Sequence, residues 1–348
     1  MLCRRSYAAA KTQYVDRFFL VNPSTEIDTI TDIVNAIGAF EPDIVIPSAE
    51  NTVMALYDIW QLHVQGRLPN VGEKTMEIVR RSIPDPAKHH LFYNKIDLLN
   101  ALDEMGVRIP PQRELHSFGD ADRFIQEHGY PVILKPNKGQ AGIGIAICRN
   151  EEELIAGLRE RLRPGSRERW AIQRLVDGRP ANYPFVARDG LLTAGMSLDR
   201  LVVHPAPMGP STVMRMVQND EMESSATSFA RLLGYNGFGS AQFMVEGDGE
   251  GPAYFIETNF RIGVTTHLGY LLGPDLCSAL VQTWKEQPID LQPPNNGVVV
   301  ALYPQEAFRD PKSEYLKGVV DWVTEDPALA EHFAQQIEAK WGNAPVAR

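Results

Sequence analysis

The stretch Tyr130–Ile147, YPVILKPNKGQAGIGIAI, decides the fold. Its opening Pro-Val-Ile-Leu is a short apolar run with β-branched residues, the composition of a buried strand. That strand delivers Lys135, and Pro136 breaks the ladder because it has no amide hydrogen to give. Asn137 to Gly144 follow as a glycine-rich loop, and Ile145-Ala146-Ile147 resumes the apolar pattern. The loop therefore joins two strands and does not open a helix, unlike a Walker loop or a Rossmann fingerprint. Without Cβ atoms in the way, its backbone amides can approach an anion and point at it. With a lysine one strand earlier, the ligand that fits is a polyphosphate. Taken alone, the stretch has an alternative reading as a plain hairpin with a solvated lysine.

A second segment, about a hundred residues on, narrows the choice. Phe238–Glu246 has strand composition and leads through the turn GDGEGP to a second strand, Ala253–Glu257, followed by Thr258-Asn259-Phe260-Arg261. Residues two apart in an extended chain face the same side, so Glu257, Asn259 and Arg261 project together if the strand runs that far. Oxygen ligands and a cation on one face suit magnesium and a transferred phosphoryl group. Gln242, on the partner strand, is a candidate for a further oxygen.

Together the Pro-Val-Ile-Leu-Lys-Pro strand, the glycine loop and the Gln-Phe…Ile-Glu-Thr-Asn-Phe-Arg segment resemble the ATP-grasp superfamily. That fold is shared by carbamoyl-phosphate synthetase, biotin carboxylase and D-alanine–D-alanine ligase. The resemblance covers about residues 40–310. It implies an α/β and α+β chain: an ATP-grasp fold, two α+β lobes clasping ATP, preceded by a small Rossmann-like lobe. The expected divisions are 1–88 for that front lobe, 89–175 for the first ATP-grasp lobe, 176–290 for the catalytic lobe and 291–348 for a tail packed on both.

Composition bounds the alternatives. With 348 residues the chain can bury a large core, and its formal charge of −10 argues against a general nucleic-acid binder. No apolar run approaches a membrane span, and MLCRRSYAAA has no hydrophobic stretch behind its arginines, so it does not read as a signal peptide. Cys3, Cys148 and Cys277 are isolated and odd in number, the pattern of reduced thiols in a cytoplasmic protein.

In chain order, residues 1–88 alternate strand and helix. Arg17–Val21 reads as a strand, Ser24 or Thr25 as the cap of a helix with isoleucines at helical spacing, and Asp43–Pro47 as the next strand. Such alternation means parallel sheet. Ser48 and Glu50 sit at that strand's carboxyl end, where such sheets bind ligands; capping the next helix is the alternative for both. The lobe ordinarily begins with a strand and a glycine turn, and none is evident before Arg4, so the lobe starts upstream or is shortened.

The resemblance also assigns residues. Lys95 takes the place of the first phosphate-binding cation, with Lys135, Gly139, Gly142 and Gly144 around the phosphates. Gln173, Arg174, Leu175 and Val176 resemble the strand and hinge that hold adenine, although Gln173 replaces a common glutamate and Pro180 a common ribose-binding carboxylate. Asn182 is the candidate to hold the ribose instead. Arg261, Lys135 and Arg215 are the implied catalytic cations, and Gln242, Glu257 and Asn259 the implied metal ligands. Thr265, Thr266 and His267 fall in the loop that lines the acceptor pocket, where His267 reads as a proton acceptor or as a structural histidine.

The implied chemistry uses ATP with Mg²⁺, Mn²⁺ being the alternative ion. A substrate carboxylate attacks the γ-phosphorus, and an amine or other nucleophile displaces phosphate from the acylphosphate. Positioning and charge neutralisation carry such a reaction, with no side-chain nucleophile. The expected partners are the small carboxylate and amine substrates, with a homodimer compatible and neither nucleic acid nor membrane involved. Two other readings stand beside it: bicarbonate activation by the same machinery, and a catalytically silent ATP-binding module.

Overall fold

The computed structural model describes residues 1–4, 6–21, 24–139, 143–163, 165–206, 209–247 and 251–342. In the front lobe, β1 (Leu2–Cys3) pairs in parallel with β2 (Phe19–Leu20), and the helices α1 (Glu26–Phe40), α2 (Glu50–Val64) and α3 (Glu73–Arg81) follow. Thr25 caps α1 in a reciprocal box with Asp28. Two expectations are corrected here. A strand does precede Arg4, and its two residues are too short for any periodicity to reveal. No strand forms at Asp43–Pro47; prolines frame that segment, and Val45 donates its amide to the Ser82 hydroxyl at 2.9 Å instead of to a ladder.

A short α4 (His90–Tyr93) and α5 (Lys95–Glu104) lead into a four-stranded sheet ordered β3-β6-β4-β5. Its members are β3 (Gln112–Leu115), β4 (Val132–Pro136), β5 (Ala146–Cys148) and β6 (Trp170–Arg174), with α6 (Phe118–His128) and α7 (Glu151–Arg161) between them. Phe124 of α6 and Leu154 and Leu158 of α7 bury one face against Val132, Leu134 and Ile172. By alternation Lys135, Ile133 and Gln173 occupy the other face, with Ile133 directly opposite Gln173.

The remaining strands form one eight-stranded sheet ordered β12-β11-β7-β9-β10-β13-β14, with β8 on the free part of β7. They are β7 (Arg179–Arg188), β8 (Leu191–Gly195), β9 (Ser197–Val203), β10 (Ser211–Val217), β11 (Gly237–Val245), β12 (Ala253–Asn259), β13 (Val299–Ala301) and β14 (Val319–Val320). The helix α8 (Asp220–Leu233) precedes β11, and α9 (Gly269–Leu272) and α10 (Leu276–Trp284) follow β12. The tail does more than pack on the lobes, because β13 and β14 extend the sheet before α11 (Gln305–Arg309) and α12 (Pro327–Trp341) cover its end.

Alternation on β7 divides the core. Ala181, Tyr183, Phe185 and Ala187 join the front-lobe helices, α5 and α8 in the largest cluster, whereas Val186 faces Leu268, Leu272 and Leu276 on the opposite side. The front lobe is thus built onto one face of the large sheet. Among the described residues no helix is long and apolar enough to cross a membrane.

Candidate active site

Residues from three regions converge at one end of β12. Lys95 opens α5 and places its Nζ 2.5 Å from Oε1 of Glu257. Lys135 on β4 feels both charges: burial pushes its ammonium down to about 8, with Glu257 opposing the shift and Lys95 adding to it. Two lysines around one carboxylate leave a net positive spot in an acidic chain, which is what a multiply charged phosphate needs.

The alignment of the two lysines depends on Asn137, whose role the sequence reading missed. Its Oδ1 accepts the Ile96 amide at 3.1 Å, its Nδ2 donates to Asn94 Oδ1 at 2.8 Å, and its carbonyl accepts the Lys95 amide at 3.3 Å. One buried side chain therefore satisfies the open amino end of α5 and pins it to the end of β4. The available signal was an asparagine directly after Lys135-Pro136.

Of the glycine loop, Gly142 lies outside the described residues. Gly144 has φ +84°, and a Cβ there would sit 3.3 Å from Pro136 Cγ and 3.6 Å from the Trp170 ring. Gly139 also holds a positive φ, +148°. Arg161 of α7 donates from Nη2 to the Gly144 carbonyl at 3.2 Å, and its guanidinium lies 5.2 Å from the Trp170 ring centroid. The far end of the loop is thereby anchored to a helix.

The strand β12 runs on to Asn259, so Glu257 and Asn259 share a face by alternation, and Arg261 lies beyond its end. Gln242 stands directly across from Glu257, and Ser240 across from Asn259. Asn182 on β7 neighbours Gln242 from the other side, and its Oδ1 is buried without a hydrogen-bond partner. Among the described residues no group of three His, Cys, Asp or Glu side chains could hold a metal alone. One carboxylate with two amide oxygens fits magnesium of the kind that arrives on nucleotide phosphates and keeps several waters. Lys95, already bound to Glu257, shows that a cation is welcome at that oxygen.

Arg261 is positioned by its neighbour. Phe260 buries its ring against Phe92 at 4.1 Å and also packs on Phe229 and Tyr235. The next amide, of Ile262, donates to the Pro47 carbonyl at 3.1 Å, joining the chain just after β12 to the front lobe. Arg261 Nε then lies 3.5 Å from Oε1 of Glu50. Burial raises the Glu50 carboxyl above its ordinary range, with Arg261 only partly opposing it. The capping alternative fails for Glu50, since α2 has Ala49 at its cap and no side-chain cap bond. Ser48 is exposed and makes no such bond either.

Other expected residues lie elsewhere or face other ways. Arg215 pairs across the ladder with Asp199, which pairs with Ala181, on the face opposite Gln242 and Asn182. Its guanidinium bonds the fully buried Asp199 and neutralises that carboxylate. Arg174 turns to the Tyr254 hydroxyl at 3.0 Å and to Glu246 at 3.8 Å, a brace between the small sheet and β12. The Leu175 amide is used by the Pro131 carbonyl, and Val176 is buried. Gly178 passes so close to β11 that a Cβ would meet the Val245 carbonyl oxygen at 2.6 Å. Gln173 is buried on the Lys135 face, with no partner for its Nε2.

In the loop after Arg261, Thr265 and Thr266 are buried, and Thr266 accepts the Gly263 amide at 3.1 Å, which shapes the turn. His267 is half exposed and not alone: its Nε2 lies 2.9 Å from Oδ2 of Asp321, a buried carboxylate beside β14. A positioned proton acceptor has this form.

Two α+β lobes around a cleft, with Glu257 and Asn259 on the edge strand, are the architecture of the ATP-grasp fold, and the chain has that fold. Residues 94–178 match the family described as carbamoyl-phosphate synthase L chain, ATP binding domain. The chain is 31% identical over 156 residues to the 2-oxoglutarate carboxylase small subunit of Hydrogenobacter thermophilus, covering 42% of this chain and 32% of that one. It is 26% identical over 275 residues to biotin carboxylase 1 of Bacillus subtilis, 74% of this chain and 57% of that one. It therefore spans between a third and three fifths of these relatives. In structure it is similar to the biotin carboxylase domain dimer of the H. thermophilus 2-oxoglutarate carboxylase, solved with MgADP and bicarbonate. That likeness has TM-score 0.61 and 18% identity, over 83% of this chain and 64% of that one.

Proposed function

We propose that the chain is an ATP-dependent, ADP-forming ligase that activates a carboxylate as an acylphosphate and passes it to an amine. The observation that carries this reading is the meeting of Lys95, Lys135 and Glu257, beside Arg261, at the end of β12. Lys95 and Lys135 hold the phosphates with the glycine loop. Glu257, Asn259 and Gln242 hold magnesium, which when bound neutralises phosphate charge and orients the γ-phosphoryl group. Arg261 orients the carboxylate and steadies charge as it moves onto the departing phosphate. Gln173 to Val176 flank the base, and Asn182 the ribose.

The test has two parts. Calorimetry should detect ATP binding in the presence of Mg²⁺, and a screen of carboxylic acids with amines should reveal acid-dependent ADP release. Absence of any ATP binding would end the reading. A second reading, bicarbonate activation, is favoured by the likeness to biotin carboxylases. ADP release that depends on bicarbonate and on no other acid would select it. The dimeric state of the similar carboxylase domain supports a homodimer for this chain, which light scattering would check.

A further inference from the structure

The acceptor side of the cleft holds one group that the phosphate chemistry does not use. Glu50 comes from the front lobe, its Oε1 is buried, and no hydrogen bond reaches that oxygen. Arg261 lies 3.5 Å away, close enough to pair electrostatically but not to satisfy it. The Phe260 amide also hydrogen-bonds the carboxyl group, and the other charges that act on it are Glu257 and Lys95, yet Oε1 itself stays without a donor. Lys95, Lys135 and Arg261 already serve anionic ligands, so the missing partner is a donor of hydrogen and of positive charge. A bicarbonate or phosphate oxygen would bring lone pairs to a carboxylate and repel it. A primary ammonium brings three donors and one positive charge, as a lysine head does.

We infer that the nucleophile is a primary amine arriving as its ammonium ion, and that the Glu50 carboxylate receives it and takes its proton. The inference rests on the ligase reading. One N–H proton passes to Glu50, and the freed lone pair forms the C–N bond with the acylphosphate carbon. The carbon–oxygen bond to phosphate breaks, phosphate leaves with the electron pair, and the nitrogen's remaining surplus proton leaves with it. The raised proton affinity of the buried carboxyl suits this role.

The experiment compares two nucleophiles on the wild-type enzyme and on Glu50→Gln, with MgATP and the acids of the screen. Hydroxylamine is uncharged at neutral pH and traps the acylphosphate as a hydroxamate without a base. Ammonium chloride, methylamine and glycine present the ammonium head. For Glu50→Gln we expect amine-dependent ADP release to fall by about 10²-fold or more, mainly through KM for the amine, while hydroxamate formation keeps at least about a third of its rate. Equal losses with both nucleophiles would overturn the inference, since Glu50 would then only position Arg261 or support the fold. So would equal retention, or wild-type turnover with hydroxylamine and none of the amines. Glu50→Asp, which keeps the charge, should recover part of the amine activity and guards against a folding defect in the first variant. If MgATP binds but no acid yields hydroxamate, the ligase reading itself fails, and this inference with it.

Discussion

At the scale of single residues, Lys135 and Glu257 make the sharpest predictions. The Lys135 ammonium sits at about 8 in the folded chain, against roughly 10.4 for an unperturbed lysine. A depressed lysine binds its proton less tightly folded than unfolded, so its burial costs stability at neutral pH and stability recovers as pH rises from about 8 to 10. A polyphosphate favours the charged form, so MgATP binding near pH 8 should take up about half a proton, and almost none at pH 6.5. Calorimetry in buffers of different ionisation heat measures this, and Lys135→Met should abolish it. For Glu257→Gln the volume is kept, but the two lysines lose their shared counter-charge. Turnover should fall by about 10²–10⁴-fold with a smaller loss of MgATP affinity; near-normal turnover at saturating ATP would remove Glu257 from the site. These residues were legible because their type and spacing carry the chemistry locally. The bond of Arg215 to Asp199 was not legible, because it depends on a ladder register with Asp199 and Ala181 that no local pattern announces.

At the scale of elements, the joint between α5 and β4 matters more than either alone. Asn137→Ala would leave the Ile96 amide at the open end of α5 without its acceptor, at a cost of about 1–3 kcal/mol. Urea unfolding should show that loss, and KM for ATP should rise because Lys95 is no longer held against the end of β4. A stability loss with KM unmoved would mean that Lys95 finds its place without the joint. The first helix declared itself well in the sequence: Thr25 caps α1, and its isoleucines recur at helical spacing. The front-lobe strands did not. A two-residue parallel pair offers no alternation to read, and Asp43–Pro47 had strand composition but prolines at its margins and no ladder to join.

At the scale of the whole molecule, the front lobe shares its core with the large sheet and is not an appendage. Leu56 of α2 is fully buried in the cluster that also holds Phe229, Phe255 and Phe260. Leu56→Ala should therefore cost about 2–5 kcal/mol, lower the melting temperature in a single transition, and reduce turnover along with it, since the same helix carries Glu50. A separate early transition that spares turnover would show the lobe to be independent. The overall architecture was legible because two distant motifs share one chemistry. The grip of Asp321 on His267 was not, because the partners are 54 residues apart and each looks unremarkable in place. That separation has a consequence in time. Chains emerge at about 5–20 residues per second, so the acceptor loop is made roughly 3–10 s before the carboxylate that will hold its histidine. Lys95, Lys135 and Glu257 have all been synthesised by then. A nascent chain thus holds the three residues proposed to grip a nucleotide before the carboxylate that fixes His267 exists, and a ribosome paused in that interval would display the former without the latter.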